Sequence, residues 1–363
     1  MAQLTRSQTV AEIVYYWVES LPPSYFSLVM ATGIVSIASE LLGLWPIAVG
    51  LFFVNCIAFT ILSGLTILRL LLYPHRLVGD LRTHALGPGY FTIVAATNVL
   101  GVQVLRLTGY VDLAVGLWVL AGVLWLLVTY AFFSAVIVHA EKPSLREGLS
   151  GVWLIAAVAT QSMATLGTLI ADRWPGMEHG ILFASLVFYF MGCMLYVNII
   201  GLIFYRLTFM LLEPVNFTPP YWVNMGATAI ATQAGASLII HANQSPLLSE
   251  LTPFLKGFTL FFWAAGTWWI PLLICLGIWT HVIRRVPIVY TPLFWGAVFP
   301  LGMYTASTYQ LAYALDLSPL LWIPQTTVYI ALLAWLLTFV GLLRRIKGGL
   351  LALIRVGGAS PLA

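Results

Sequence analysis

The sequence predicts an all-α membrane protein: ten transmembrane helices, paired as five helical hairpins in a quasi-five-fold arrangement around a central pore. Composition comes first. Hydrophobic residues make up 61% of the 363-residue chain and charged residues 8%, far below the roughly 25% charged of a soluble domain. Second, ten stretches are long and apolar enough to cross a ~30 Å hydrocarbon layer. Third, a motif repeats at their heads. Pro23-Ser24-Tyr25-Phe26 is followed by Ala31-Thr32, Pro88-Gly89-Tyr90-Phe91 by Ala96-Thr97, and Pro219-Pro220-Tyr221-Trp222 by Ala227-Thr228. Counted from Phe26, Phe91 and Trp222, the threonine is always six residues on. Looser copies start at Trp153, ahead of Ala159-Thr160, and at Pro292-Leu293-Phe294-Trp295, ahead of Pro300-Leu301. Anchors at 26, 91, 153, 222 and 295 leave room for one membrane hairpin per repeat, which implies a quasi-symmetric bundle with an axis.

The spans follow in order. Span 1 (24–42) and span 3 (88–105) open on the proline-aromatic motif and carry Thr32 and Thr97. Span 5 (151–170) carries Thr160, Gln161, Ser162, Thr165 and Thr168. In span 7 (220–240) stand Asn224, Thr228, Thr232, Gln233 and Ser237, and in span 9 (292–312) Thr305, Ser307, Thr308 and Gln310. The even spans (46–72, 113–139, 180–206, 254–281 and 320–343) are longer and rich in large apolar residues, as in Leu117-Trp118-Val119-Leu120 and Trp335-Leu336-Leu337. Polar side chains facing lipid are costly, so the odd spans are expected to form an inner ring and the even spans an outer one. Two readings fit the inner polar residues: they line a lumen, or they hold helices together.

No polar domain interrupts the spans, so a single membrane domain is expected over 21–345, flanked by an N-terminal segment (1–20) and a basic tail (346–363). Residues 11–18 have the aromatic character of an interfacial lead-in. Residues 1–20 carry Arg6, Glu12 and Glu19 and lack the apolar core of a cleavable signal. With the N-terminus in the cytoplasm, thirteen Lys and Arg fall on the inner side and three (Arg106, Arg173 and Lys256) on the outer. That bias predicts both termini cytoplasmic, in a plasma (inner) membrane. Lipid contact accounts for most of it. Arg82 inside, with Arg106, Arg173 and Lys256 outside, would also draw anions to the mouths.

The chemistry of the path follows from what is missing. No Asp, Glu, Lys or Arg lies in the middle of an odd span, so neither a proton relay nor a cation site is visible. A neutral lumen of hydroxyls suits a weakly held anion. Candidate pore-lining residues are Phe26, Thr32, Phe91, Thr97, Thr160, Gln161, Trp222, Thr228 and Trp295. Pro300 removes a hydrogen bond in span 9 and directs Phe299 at the axis as a hydrophobic gate; packing against neighbours is the other use of such an aromatic. Cys56, Cys193 and Cys275 stand singly, and no His pair has i, i+4 spacing, so no metal and no cofactor are expected. A membrane-embedded enzyme is the rival from another class. His75, Asp80, Arg82 and His84 cluster in one loop, where a solvated loop at the lipid headgroups is the simpler account.

The stretch Pro22-Pro23-Ser24-Tyr25-Phe26-Ser27-Leu28-Val29-Met30-Ala31-Thr32-Gly33-Ile34-Val35-Ser36 resembles the first helix of the tellurite-resistance/dicarboxylate transporter family. That family includes bacterial TehA, the yeast malate permease, the yeast sulfite pump and the plant slow-type anion channels. The resemblance spans about 20–345 and implies ten helices as five hairpins around a pore, in a homotrimer. It also implies a helix-9 phenylalanine that blocks the pore, carried here onto Phe299 with Pro300; Phe294 is the alternative. The function implied is a membrane anion transporter or channel, for C4-dicarboxylate (malate) or small inorganic anions. A sulfite- or tellurite-type efflux protein is the alternative. Small anions and membrane lipid are the expected partners, with no nucleic acid.

Overall fold

The computed structural model describes residue 15, residues 17–174 and residues 176–357, and the side chains of all of these except 172 and 350 onward. Most of the N-terminal lead-in and the last six residues of the tail lie outside the described residues. Among the described residues the chain is helical, without a strand. Ten long helices follow one another: α1 (Ser27–Leu41), α2 (Trp45–Leu72), α3 (Phe91–Thr108), α4 (Val111–Val138), α5 (Ile155–Ile170), α6 (Glu178–Phe209), α7 (Val223–Ile240), α8 (Pro246–Ile278), α9 (Trp295–Ala314) and α10 (Trp322–Gly357). Nine helical segments among the described residues are long and apolar enough to span a bilayer. The exception is α9, where Pro300, Thr305, Ser307, Thr308 and Gln310 dilute the apolar run.

Every odd helix is led in by a single 3-10 turn: Pro23–Phe26, Gly87–Tyr90, Gly151–Leu154, Pro219–Trp222 and Pro292–Phe294. Proline is at home there, since the first N–H groups of a helix have no intrahelical partner to lose. The third repeat starts with glycine for a reason of space. A Cβ at Gly151 would run into the Pro220 carbonyl, 2.7 Å from its carbon.

The two sets of helices differ in surroundings. Within the apolar windows of the spans that contain α1, α3, α5 and α7, 72–94% of residues are buried, against 17–39% for the even-numbered helices. Fourteen of the twenty residues of α9 are buried as well. Each odd helix packs on the even helix that follows it. The odd helices also pack on one another in a closed cycle: α1 on α3, α3 on α5, α5 on α7, α7 on α9 and α9 on α1. Phe53, Leu127, Phe183, Phe261 and Leu337 on the even helices are exposed, as expected of faces turned to lipid.

Two boundaries differ from the sequence reading. The eighth helix begins at Pro246 rather than at 254, and contains both Pro253 and Pro271. The tenth helix runs on to Gly357, so the basic tail begins as its continuation.

Candidate functional site

Where the five odd helices meet, a cavity of about 30 Å³ is lined by residues from all of them. α1 contributes Ile34 and Ile37; α3 contributes Asn98, Val99 and Val102; α5 contributes Ser162 and Thr165. Ile230 and Gln233 come from α7, and Met303 and Ala306 from α9. Such a space holds about two water molecules. Apart from Asn98, which precedes Val99, the lining obeys one register. Ile34, Val99, Ser162, Ile230 and Met303 are each eight residues beyond Phe26, Phe91, Leu154, Trp222 and Trp295, and the second row is three residues further on. The repeat is therefore real to the residue, with one adjustment: its third anchor is Leu154, one residue after Trp153.

One helical turn before that lining, the same stripe carries Met30, Ala95, Val158, Gly226 and Phe299. Phe299 is by far the largest of the five and is 1% exposed. It is not among the cavity-lining residues but lies four residues before Met303, which is. Its neighbour Pro300 packs on α7: a Cβ at Gly226 would sit 2.7 Å from Pro300 Cγ. Only a glycine lets α7 approach that ring.

The nine residues expected to line a pore are elsewhere. Six residues past an anchor is two short of the cavity register, a rotation of about 200°. Three of the repeated threonines, Thr32, Thr160 and Thr228, meet an outer helix. Thr32 accepts a hydrogen bond from Trp335 Nε1 at 3.0 Å and Thr160 one from Trp125 Nε1 at 2.8 Å. Thr97 and Thr228 donate to their own helices, at Ile93 O and Met225 O, and α8 comes close to Thr228 through Gly266. Gln161 Nε2 reaches Tyr189 O on α6 at 3.0 Å. Phe26 meets Phe59 edge-on, Phe91 meets Phe132 and Phe133, and Trp295 stands near Trp335. Trp222 is half-buried at the head of α7.

The Trp335–Thr32 and Trp125–Thr160 bonds belong to a second series of contacts. Each even helix fastens onto the odd helix of the next pair. Asn55 Nδ2 donates to Gln103 Oε1 (2.5 Å), Trp125 to Thr160, and Tyr196 Oη to Asn224 O (3.4 Å). Trp263 Nε1 donates to Thr308 (3.0 Å), and Trp335 to Thr32 closes the circle. In membranes such interhelical hydrogen bonds average ~0.6 kcal/mol.

The four basic residues assigned to the mouths have separate fates. Arg106 on α3 is paired with Glu40 on α1, Nε to Oε2 at 2.6 Å. Arg82 is exposed, and Lys256 is exposed on α8, away from the odd helices. Arg173 ends the turn Ala171–Arg173 after α5. The loop cluster does not converge either. Asp80 is taken up by Arg69 (2.8 Å) and Tyr90 Oη (3.0 Å). His84 packs against the Trp153 ring, centroids 5.5 Å apart. Burial, helped by the Lys142 and His139 charges, pulls its imidazole below the ordinary histidine pKa. Among the described residues no group of three or more His, Cys, Asp and Glu is placed to hold a metal.

Sequence reasoning missed the lining because it followed residue type rather than angle. The repeated threonine stood out; the usable signal was the phase eight and eleven residues after each anchor, where Ile, Val, Met, Ser, Thr and Gln share no chemistry. Nothing in the sequence marks that stripe without the third anchor set at Leu154.

Comparison with known proteins places residues 20–343 in a match to the voltage-dependent anion channel family, SLAC1. An uncharacterized membrane protein of Mycobacterium tuberculosis is 41% identical over 152 residues, 42% of this chain and 77% of that protein. An uncharacterized transporter of Methanocaldococcus jannaschii is 28% identical over 305 residues, covering 80% of this chain and 84% of its own. A sulfite efflux pump of Arthroderma otae is 24% identical over 319 residues, 81% and 82% of the two chains.

Proposed function

The chain belongs to the voltage-dependent anion channel family, and from that premise we propose that it passes small anions through a pore along the axis of the five odd helices, as five hairpins in quasi-five-fold order. The observation that carries this is the cavity lined in one register by all five odd helices. Its walls hold no ionisable side chain, which suits weak binding and rapid release. Membership of a transporter and channel family also sets the enzyme reading aside.

Phe299 is the gate in this account, with Pro300 holding it in place. It is one turn from the cavity on the stripe that lines it, in a layer whose other members are Met, Ala, Val and Gly. One large ring is enough to fill such a layer, and an apolar constriction blocks ions by excluding their water. The mouths are electrostatic in a weaker sense, since Arg106 is neutralised by Glu40. Family resemblance supports a homotrimer with one pore per protomer. The charge bias supports a plasma-membrane location with both termini cytoplasmic.

Malate and small inorganic anions are the substrates favoured by the resemblance; the sulfite efflux relative favours sulfite as the second reading. Current across reconstituted membranes, with chloride, nitrate, sulfite and malate exchanged at neutral and acidic pH, tests the function. A reversal potential that follows the anion gradient supports a channel. A malate signal that needs a proton gradient supports a coupled carrier. Silence with every anion contradicts the proposal.

A further inference from the structure

Two buried arginines near the heads of the odd helices are held alike but balanced differently. Arg69 stands in the last turn of α2 and Arg206 in the last turn of α6, 6% and 7% exposed. Each reaches the tyrosine of the next proline-aromatic head, Tyr90 or Tyr221. Each also gives its Nε hydrogen to a backbone carbonyl at 3.0 Å, Glu19 O for Arg69 and Arg146 O for Arg206. The residue that owns the carbonyl is ion-paired in both places, Glu19 with Arg76 (2.7 Å) and Arg146 with Glu213 (2.6 Å).

The two clusters part at one group. Beside Arg69, Asp80 Oδ2 accepts from the guanidinium (2.8 Å) and from Tyr90 Oη (3.0 Å). The short helix Pro74–Leu81 brings that carboxylate in, and between α6 and α7 only the turn Pro214–Asn216 stands in its stead. Beside Arg206 no carboxylate lies within ion-pair distance among the described residues. Tyr221 is instead covered by Phe217, the rings stacked 5.4 Å apart. One cluster therefore sets two arginines against two carboxylates, and the other sets two against one. The negative end of a helix dipole favours both arginines equally and does not account for the difference. A buried charge without a counter-ion is costly. Arg206 bears that cost unless an anion from outside the chain supplies what Asp80 supplies to Arg69.

We propose that Arg206, with the exposed Arg146 at its rim, binds a phosphate group that the chain does not itself provide, in the role that Asp80 has beside Arg69. The forked N–H groups of a guanidinium match the oxygens of a phosphate as they do those of a carboxylate. Basic pockets between the ends of membrane helices are where lipid headgroups are held, and a free phosphate offers the same chemistry as a headgroup. Neither Arg206 nor Arg146 lines the axial cavity, so the site is separate from the path proposed above.

The test is the thermal unfolding midpoint of the detergent-purified protein. It is measured in inorganic phosphate against chloride at equal ionic strength, and separately with phosphatidylglycerol against phosphatidylcholine. A rise of about 2 °C is expected in at least one arm. A rise with inorganic phosphate alone assigns a soluble phosphate; a rise with phosphatidylglycerol alone assigns a headgroup. Arg206→Gln is expected to abolish the rise. Arg146→Gln, at an exposed side chain, is expected to reduce it and serves if Arg206→Gln does not fold. Asp80→Asn strips Arg69 of its counter-charge and is expected to enlarge it. No rise in either arm, or a rise unmoved by Arg206→Gln and Arg146→Gln, overturns the assignment and leaves the pore reading standing.

Discussion

The outward and axial faces of the five odd helices differ in what their polar residues have for partners. On the outward face, Thr32 and Thr160 each accept an indole N–H, from Trp335 and Trp125. On the axial face, Asn98 and Gln233 keep amide oxygens that no protein donor reaches among the described residues. Unpaired amide atoms are not confined to the axial face, since Gln103 Nε2, Gln161 Oε1 and both amide atoms of Asn224 also lack a partner among the described residues; what separates the faces is indole–hydroxyl pairing on one and the cavity on the other. Hydroxyls abundant on a buried membrane helix report packing as readily as a path; the register shared by the cavity-lining residues of all five odd helices is the better marker of the axis.

The contrast can be broken or sharpened in several ways. The largest effect is expected at the gate. Phe299→Ala should raise anion conductance about tenfold or more, which needs a barrier lowered by only ~1.4 kcal/mol, while assembly measured by size-exclusion chromatography stays the same. Cysteine labelling probes the two faces directly, in a chain whose native Cys56, Cys193 and Cys275 have been replaced. Cysteines at Ile230 and Ala306 should react with small soluble thiol reagents once Phe299 is Ala, and cysteines at Thr32 and Thr160 should stay protected. Uniform labelling of both sets would erase the distinction.

Smaller effects follow from the pairs. Glu40→Gln frees the Arg106 charge at one end of the odd helices, and anion current should rise about twofold at low ionic strength and fade as salt screens it. Trp125→Phe removes the N–H that Thr160 accepts. Its cost should be ~0.6 kcal/mol, seen as a small drop in thermal stability in detergent with unchanged single-channel conductance. Lys256→Ala, on the outer side of α8, should leave conductance within error.

How much of this was legible beforehand depends on the kind of signal. The apolar runs marked ten spans, of which nine are long and apolar enough to cross a bilayer among the described residues, and the proline-aromatic heads set where most of the odd helices begin, because proline is well tolerated at such starts. Repeat spacing located the anchors to within one residue; Trp153 displaced Leu154 because an aromatic looked like the motif. Side-chain direction was not legible. A two-residue error in phase turns a helix face around, and Thr32, Thr97 and Thr228 were assigned to the axis on type alone. The Trp335 to Thr32 contact joins residues 303 apart in sequence, and no local pattern announces it.

The central claim is that anions travel along the stripe of Ile230 and Ala306 and are stopped by Phe299. It is tested most directly by current through the Phe299→Ala protein carrying Ala306→Cys or, separately, Thr32→Cys, before and after a charged thiol reagent is added. Block of the Ala306→Cys current with the Thr32→Cys current untouched is the predicted result. Block through Thr32→Cys with none through Ala306→Cys would contradict the account.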